Sequence, residues 1–277
     1  MNHPFRRPPV VDISAISQVG YVGPAGTWTH QAALDIFGDS VKLVPLEADL
    51  FAAYETGEVD ALCVPVTTSL VGTTPYVDGL LALRSLFVVA EYPKILSYSL
   101  IAPIEATFES ITTVMGHPVA LEEVTDWLDE NMPHVSREAR AGTIHHVASL
   151  NSPAVASIGS GLGAKLYNLQ ELRTGIEEGL HNVTRWWVLG REIPACTGYD
   201  RTTLHLRTRE QEFGSFMRDL AQSGIEILNI YERPTFQGLD DHHYLIDVSG
   251  HASDEKMLSF LNGRRRLRIL GSYPRCY

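Results

Sequence analysis

Three short hydroxyl-rich segments hold the residues of this chain best suited to chemistry on a small anion. GPAGTWTH supplies Thr27 and Thr29, TTSLVGTT supplies Thr67, Thr68 and Ser69, and HNVTRWWVL supplies Thr184 and Arg185. The first lies between a strand and a helix, where unpaired amides and a partial positive charge can hold a carboxylate. The second follows another strand and offers hydroxyl donors from a second direction. In the third, a guanidinium able to clamp a carboxylate through two parallel hydrogen bonds stands beside a threonine that can donate to a departing hydroxyl. Each has an ordinary alternative: a turn with an N-cap threonine for the first, a surface Arg–Thr pair for the third. Two hydroxyl-rich turns at strand ends are nevertheless what an anion-binding crevice in an open α/β sheet requires.

Other patterns carry less. GSGLGA at residues 159–164 fits the permissive dinucleotide pattern, with Glu177 and Glu178 near the required later spacing. It comes late in its domain, and close packing of a helix on a sheet accounts for the glycines equally well. The pairs His145–His146 and His242–His243 are adjacent and lack the i,i+4 spacing of helical metal ligands. With no HExxH, EF-hand loop or GxxxxGK[ST], metal binding is the lesser reading. Arg264, Arg265 and Arg266 read as a solvated helix end, where cations meet the negative end of the dipole.

The elements that must position these residues are those of an ordinary globular protein. Of 277 residues, 44% are hydrophobic and 20% charged, enough for one large domain or two. The formal charge of −11 argues against nucleic acid and against an anionic membrane as partners. Cys63, Cys196 and Cys276 are widely separated and form no CxxC pair, which fits a reducing cytoplasm. No apolar run follows the basic N-terminus as a signal peptide requires, and none reaches membrane-spanning length. A cytoplasmic location is expected.

Residues 1–17 read as a tail. From there, QVGYVGP, VKLVPL and DALCVPV are strands alternating with the helices THQAALDIFG and LFAAYETGEV, the mark of βαβ units and a mainly parallel sheet. FVVAEY, ILSYSLIAP, PAVASI and HNVTRWWVLGRE are further strands, and HPVALEEVTDWLDENM has helical spacing. IPACTGYD interrupts the pattern. Beyond it the order strand, helix, strand, strand, helix, strand is the ferredoxin-like βαββαβ arrangement.

Several of these segments, in order, resemble prephenate dehydratase. GPAGTWTHQAA is similar to the family's GPxGT(F/Y)SxxAA, and PVTTSLVGTTPYVDGLL to PIENSxxGxVxxTxDLL. GHPVAL stands at the SHPQAL position, GTIHHVA (with Thr143) at STAxAA, and NVTRWWVL at NxTRFxxL. Past the boundary, EFGSF, IYERP and LRILGSYP resemble the GAL, ESRP and LGSYP segments of the family's ACT module.

The resemblance implies a catalytic domain over residues 18–195, built as two lobes like a periplasmic binding protein, with lobe two at about 96–180. It implies an ACT regulatory domain over 200–277 and a homodimer or homotetramer. The implied reaction turns prephenate into phenylpyruvate with loss of carbon dioxide and water, and it implies no metal and no organic cofactor. Thr184 is the implied catalytic residue; Thr27, Thr29, Thr68, Ser69, Tyr98, Thr143 and Arg185 are implied to bind substrate, Arg185 as carboxylate partner. Phenylalanine is the implied effector, at Gly214, Ser215, Phe216, Glu226, Glu232 and Arg233.

The sequence departs from the family where the Glu and Asn of PIENS are Thr67 and Thr68, where the Gln of SHPQAL is Val119, and where a histidine gives way to Tyr98. Those departures leave open a prephenate decarboxylase, an arogenate dehydratase, or a non-catalytic amino-acid sensor on the same fold.

Overall fold

The computed structural model describes residues 14–47, 49–70, 72–178 and 182–277. Most of the expected tail, residues 1–13, lies outside the described residues. The chain first builds β1 (Gln18–Val22), α1 (Trp28–Phe37), β2 (Lys42–Leu46), α2 (Leu50–Glu55), β3 (Ala61–Thr68), β4 (Gly72–Thr73), α3 (Tyr76–Ala82) and β5 (Phe87–Ile95). It crosses into β6 (Ser99–Ala102), β7 (Thr113–Gly116), α4 (Pro118–Glu122), α5 (Thr125–Asn131), β8 (Ser136–Ala139), α6 (Thr143–Leu150), β9 (Val155–Gly159), α7 (Gly161–Leu166) and β10 (Gln170–Thr174). It then returns as β11 (Val183–Gly190) to the first sheet and continues through β12 (Asp200–Arg209), α8 (Glu210–Gln222), β13 (Ile227–Pro234), β14 (Asp241–Ser249), α9 (Glu255–Leu261) and β15 (Leu267–Pro274).

Local signals set many of these boundaries. Thr27 caps α1, and Gly38, at φ 56°, ends it where a side chain would be strained. The Asp49 carboxylate accepts from the Phe51 and Ala52 amides and starts α2. β3 and β11 are apolar along nearly their whole length and buried on both faces, as central strands require.

Two sheets result. The smaller runs β10-β6-β9-β7-β8. The larger runs β13-β14-β12-β15-β5-β11-β3-β1-β2, with β4 paired to β3. The fold is α/β: two lobes joined by a double crossing, followed by a βαββαβ unit. In that unit α8 and α9 cover one face of the sheet through Leu206, Leu220, Tyr244, Ile246 and Phe260.

The opposite face of the βαββαβ sheet packs on the first lobe, where Leu245, Leu270 and Tyr273 meet Trp187 and Leu189. The sheet itself is continuous across this junction, because Gly271 of β15 pairs in parallel with Val88 of β5. The approach is so close that a Cβ on Gly271 would stand 2.1 Å from the Val88 carbonyl oxygen. Beside it lies a buried ion cluster. Arg185 places Nε 2.9 Å from Glu91 and one terminal nitrogen 2.7 Å from Asp247, and its other terminal nitrogen donates to the Tyr273 hydroxyl at 2.8 Å. Arg201 approaches the same carboxylates at 3.4 and 3.2 Å. Burial alone would raise the Asp247 carboxyl, but the two guanidiniums hold it below its usual range.

The structure also has elements that the sequence pattern did not separate. HPVALEEVTDWLDENM breaks into α4 and α5 at Glu123 and Val124. β7, β8, α6 and β10 appear as well. β8 is an edge strand exposed along its whole length, so it has no apolar alternation to read.

Two substitutions test the junction. Gly271→Ala should lower stability by roughly 1–3 kcal/mol through overpacking against β5. Asp247→Asn, which leaves two buried guanidiniums to share Glu91 alone, should cost about 3–5 kcal/mol. Urea denaturation reads both, and wild-type midpoints would contradict this account of the junction.

Candidate active site

The first lobe brings its hydroxyls to one end of the large sheet. β1 and β3 run parallel and β11 runs against β3, so the ends of β1 and β3 and the start of β11 coincide. Thr184 lies opposite Thr68 on one side and Lys94 on the other, and directly opposed residues share a face. Lys94 turns its ammonium to Asp35 of α1 at 2.6 Å. The Ser69 hydroxyl accepts from the Val183 amide at 2.9 Å, and the Ser69 amide donates to the Val183 carbonyl at 2.9 Å. Ser69 therefore fixes the backbone immediately before Thr184.

Thr67 and Thr68 point to opposite faces of β3, and a β-bulge follows them. The register between β11 and β3 shifts between Arg185 and Trp186. Thr68 stays beside Thr184, whereas Thr67 is buried on the other side with its hydroxyl on Tyr231 of β13. Thr67, one of the hydroxyls that could have replaced the missing amides, is thus taken up by the C-terminal unit.

Arg185 is turned toward the C-terminal unit. Side chains alternate along β11: Trp186 packs toward α1, where its indole donates to Thr29 at 3.2 Å, while Arg185 lies over Trp187 on the C-terminal side. Arg185 is 3% exposed, and its guanidinium is held by Glu91, Asp247 and Tyr273. It sits on the face of β11 opposite Thr184.

Other expected binders also turn out to have structural work. The Thr27 hydroxyl accepts from the His30 amide at 3.2 Å and donates to the Val22 carbonyl at 3.3 Å, which makes it an N-cap. Thr29 is buried with its oxygen on the Trp186 indole. Thr143 is buried in the second lobe, where its hydroxyl accepts from Ser157 at 2.6 Å. Thr68 and Ser69 lie beside Thr184 and Val183, and Tyr98 lies at the crossing between the lobes.

The second lobe closes on the first at residues 25 and 26. The Ser160 hydroxyl, which also caps α7, donates to the Gly26 carbonyl at 2.7 Å, and the Tyr167 hydroxyl donates to the Ala25 carbonyl at 3.0 Å. A Cβ on Gly26 would reach 2.8 Å from the Gly163 Cα. The glycines of GSGLGA thus serve contact between lobes and between helix and sheet, as the packing alternative proposed. Trp28 meets Tyr98 edge-on, with centroids 6.2 Å apart.

Where the chain crosses between lobes, three polar side chains meet. The Asn182 amide donates to the Glu123 carboxyl, and the Tyr98 phenol bonds to both. All three are buried, and the Asn182 amide oxygen has no partner among the described residues. Burial raises the Glu123 carboxyl to about 7, with Glu177 and Glu122 adding to the rise and the Tyr98 hydrogen bond opposing it. The Tyr98 phenol is raised well above its usual range by burial and by Glu123. Sequence reasoning named Tyr98 but passed over Glu123 and Asn182. Asn182 belongs to the NVTRWW motif, two residues before Thr184, and that spacing was the available signal.

The expected effector residues do not converge within one chain. Gly214 and Ser215 are exposed on α8, with Ser215 donating to the Glu212 carbonyl, while Phe216 packs edge-on against Phe260. Glu232 accepts from His242 at 2.6 Å. Arg233 forms an ion pair with Asp78 of α3, tying β13 to the first lobe. Glu226 precedes Arg233 by seven residues, roughly 23 Å along a strand, too far for one amino acid to touch both.

Comparison with known proteins fits this geometry. The prephenate dehydratase family profile matches residues 19–194. The chain belongs to the prephenate dehydratase family. A prephenate dehydratase from Mycolicibacterium gilvum is 31% identical over 281 residues, covering 92% of this chain and 90% of the relative. The structure of an Arthrobacter aurescens prephenate dehydratase in complex with L-Phe superimposes with a TM-score of 0.83 at 26% identity, covering 94% of this chain and 90% of the other. GqqA, described as a quorum-quenching acylase, reaches a TM-score of 0.81 at 21% identity over 93% of this chain and 98% of its own, and shares the fold. Family membership agrees with the two-lobed architecture. Among the described residues, no helix is long and apolar enough to cross a membrane.

The Glu123 carboxyl holds its proton more tightly folded than unfolded. Its contribution to stability is therefore full below its ordinary 4.5 and lost as pH rises through about 7. The thermal midpoint should fall between about pH 5 and about pH 8, and Glu123→Gln should flatten that fall. An equal slope in the variant would remove Glu123 as its source.

Proposed function

We propose that this chain is a prephenate dehydratase that releases carbon dioxide and water from prephenate to give phenylpyruvate. The observation that carries this reading is Thr184 at the crevice end of the sheet, on one face with Thr68 and two residues from the Tyr98–Glu123–Asn182 cluster.

The substrate brings two carboxylates and a ring hydroxyl. Breaking the bond to the ring carboxylate sends its electron pair through the ring, and the hydroxyl leaves with its bonding pair as the ring becomes aromatic. The departing oxygen needs a hydrogen-bond donor and a proton. The Thr184 hydroxyl supplies the first, and the Glu123 carboxylic acid, protonated below about pH 7, is the nearby proton source. The amides at the start of α1 and the Thr68 hydroxyl are the donors for carboxylate oxygens. Closure at residues 25 and 26 keeps water from the reacting ring.

Residues 18–195 are then the catalytic domain, with the second lobe at about 96–180, working in the cytoplasm. Residues 200–277 act as an ACT domain that binds phenylalanine between chains. The separation of Glu226 from Arg233 supports a site shared by two copies, and hence a homodimer or homotetramer.

One observation favours a second reading. A buried acid with a pKa near 7, beside a crevice where Val119 replaces an amide, suits delivery of a proton to carbon. Prephenate would then lose carbon dioxide, take up that proton on the ring and keep its hydroxyl.

Proton NMR of prephenate with the purified protein at neutral pH separates the two. Aromatic phenylpyruvate signals well above the blank are expected, and a non-aromatic decarboxylated product would overturn dehydration in favour of decarboxylation. Thr184→Ala should lower kcat by roughly 100-fold to 1,000-fold, with Thr184→Ser keeping most of it. Undiminished turnover in the alanine variant would remove Thr184 from the reaction.

A further inference from the structure

An arginine-rich cavity of about 870 Å³ lies between the first lobe and the C-terminal sheet, away from the crevice between the lobes. Arg84, after α3, enters from one side. Arg207 and Arg209 of β12 and Arg265, Arg266 and Arg268 at the start of β15 enter from the other. The chain as a whole carries a formal charge of −11. Within the cavity six guanidiniums face only two carboxylates, Glu212 and Asp241, an excess of four positive charges with the histidines neutral.

The internal partners leave much of that charge unanswered. Asp241 accepts from Arg207 at 3.0 Å, and Glu212 accepts from Arg266 at 2.7 Å. Arg209 reaches Asp240 only at 3.9 Å. Arg268 donates to the backbone carbonyls of Leu81 and Leu83, which satisfies its hydrogens without neutralising it. Among the described residues, no carboxylate pairs with Arg84 or Arg265.

The strain of this crowding registers on neighbouring groups. Burial, then His243, Arg268 and Arg207, push the His205 imidazole down to about 4. Burial and Arg84 lower the Arg268 guanidinium. His205 and His243 share a hydrogen bond of 2.8 Å at the cavity wall. Cations converging on a concave space, only partly matched by internal carboxylates, suit an anionic ligand.

We propose that this cavity is a second ligand site, which takes a small multivalent oxyanion such as a pyrophosphate or tricarboxylate group. Planar guanidinium forks suit both oxyanions, and a ligand of several negative charges answers more of the excess of four than a monoanion does. The site joins the loop after α3 to β12 and β15, so a bound anion cross-links the first lobe to the C-terminal unit. It involves neither the crevice around Thr184 nor Arg233, and it stands whether or not prephenate is turned over.

Isothermal titration of the full chain with pyrophosphate, and separately with citrate, tests it. One saturable site per chain is expected, weakening as potassium chloride is raised. Arg84→Gln combined with Arg265→Gln should weaken it at least tenfold. These two arginines make no ion pair to lose, and a thermal melt without ligand checks that the variant is folded. Tighter binding of pyrophosphate would assign the site to phosphate ligands, tighter binding of citrate to carboxylates, and both outcomes support it. Absence of saturable binding for either anion would overturn the proposal, as would equal affinity in the double variant. So would dissociation of an oligomer in that variant, since the cavity would then belong to the acidic surface of a second copy.

Discussion

The buried cluster of Arg185, Arg201, Glu91 and Asp247 is the constraint on which the rest of the arrangement turns. Four charges removed from water carry a desolvation penalty that only close mutual pairing offsets. The pairing has to be made between β5, β11, β12 and β14, so the cluster fixes how the C-terminal sheet lies on the first lobe. It also fixes the facing of β11. A shift of one residue would turn Arg185 toward α1 and Trp186 into the ion cluster, and that register is excluded by several kcal/mol. Thr184 lies on the α1 side of β11 because Arg185 cannot.

The crevice is assembled from small contacts of another kind. One helix cap, Ser160, also ties the lobes together, and one serine, Ser69, pins the strand start beside Thr184. At the crossing a carboxyl, a phenol and an amide share hydrogen bonds in a space with little water. The two strands that join the lobes pass through this cluster, so the chemistry of the crevice and the geometry of the crossing rest on the same side chains.

Much of the fold was legible in the sequence because each element carried a periodicity of its own. The βαβ order of the first lobe and the βαββαβ order of the last part follow from apolar alternation broken by glycine and proline. β8 and β10 were not legible, since exposed edge strands such as SREA have no buried face to pattern. The motif around Thr184 put Thr184 and Arg185 side by side in one strand but did not tell that they lie on opposite faces of it. A motif gives spacing, whereas the side a residue faces depends on register and on the bulge opposite Arg185 and Trp186. Glu123 escaped notice because a glutamate at the end of a helix looks solvated until Tyr98 and Asn182 are folded over it.

The position of β15 within the large sheet has a consequence for the order in which the molecule can be made. It is the last of the ten strands in chain order, yet it stands in the interior of the sheet, between β12 and β5. As the chain leaves the ribosome, β5 and the Glu91 carboxylate must wait with an open edge until β15 itself has been synthesised. An unpaired strand edge is a site for mispairing between chains. During biosynthesis the first lobe is therefore a client of its own C-terminal unit, and the vulnerable interval lasts as long as translation of everything between β5 and β15.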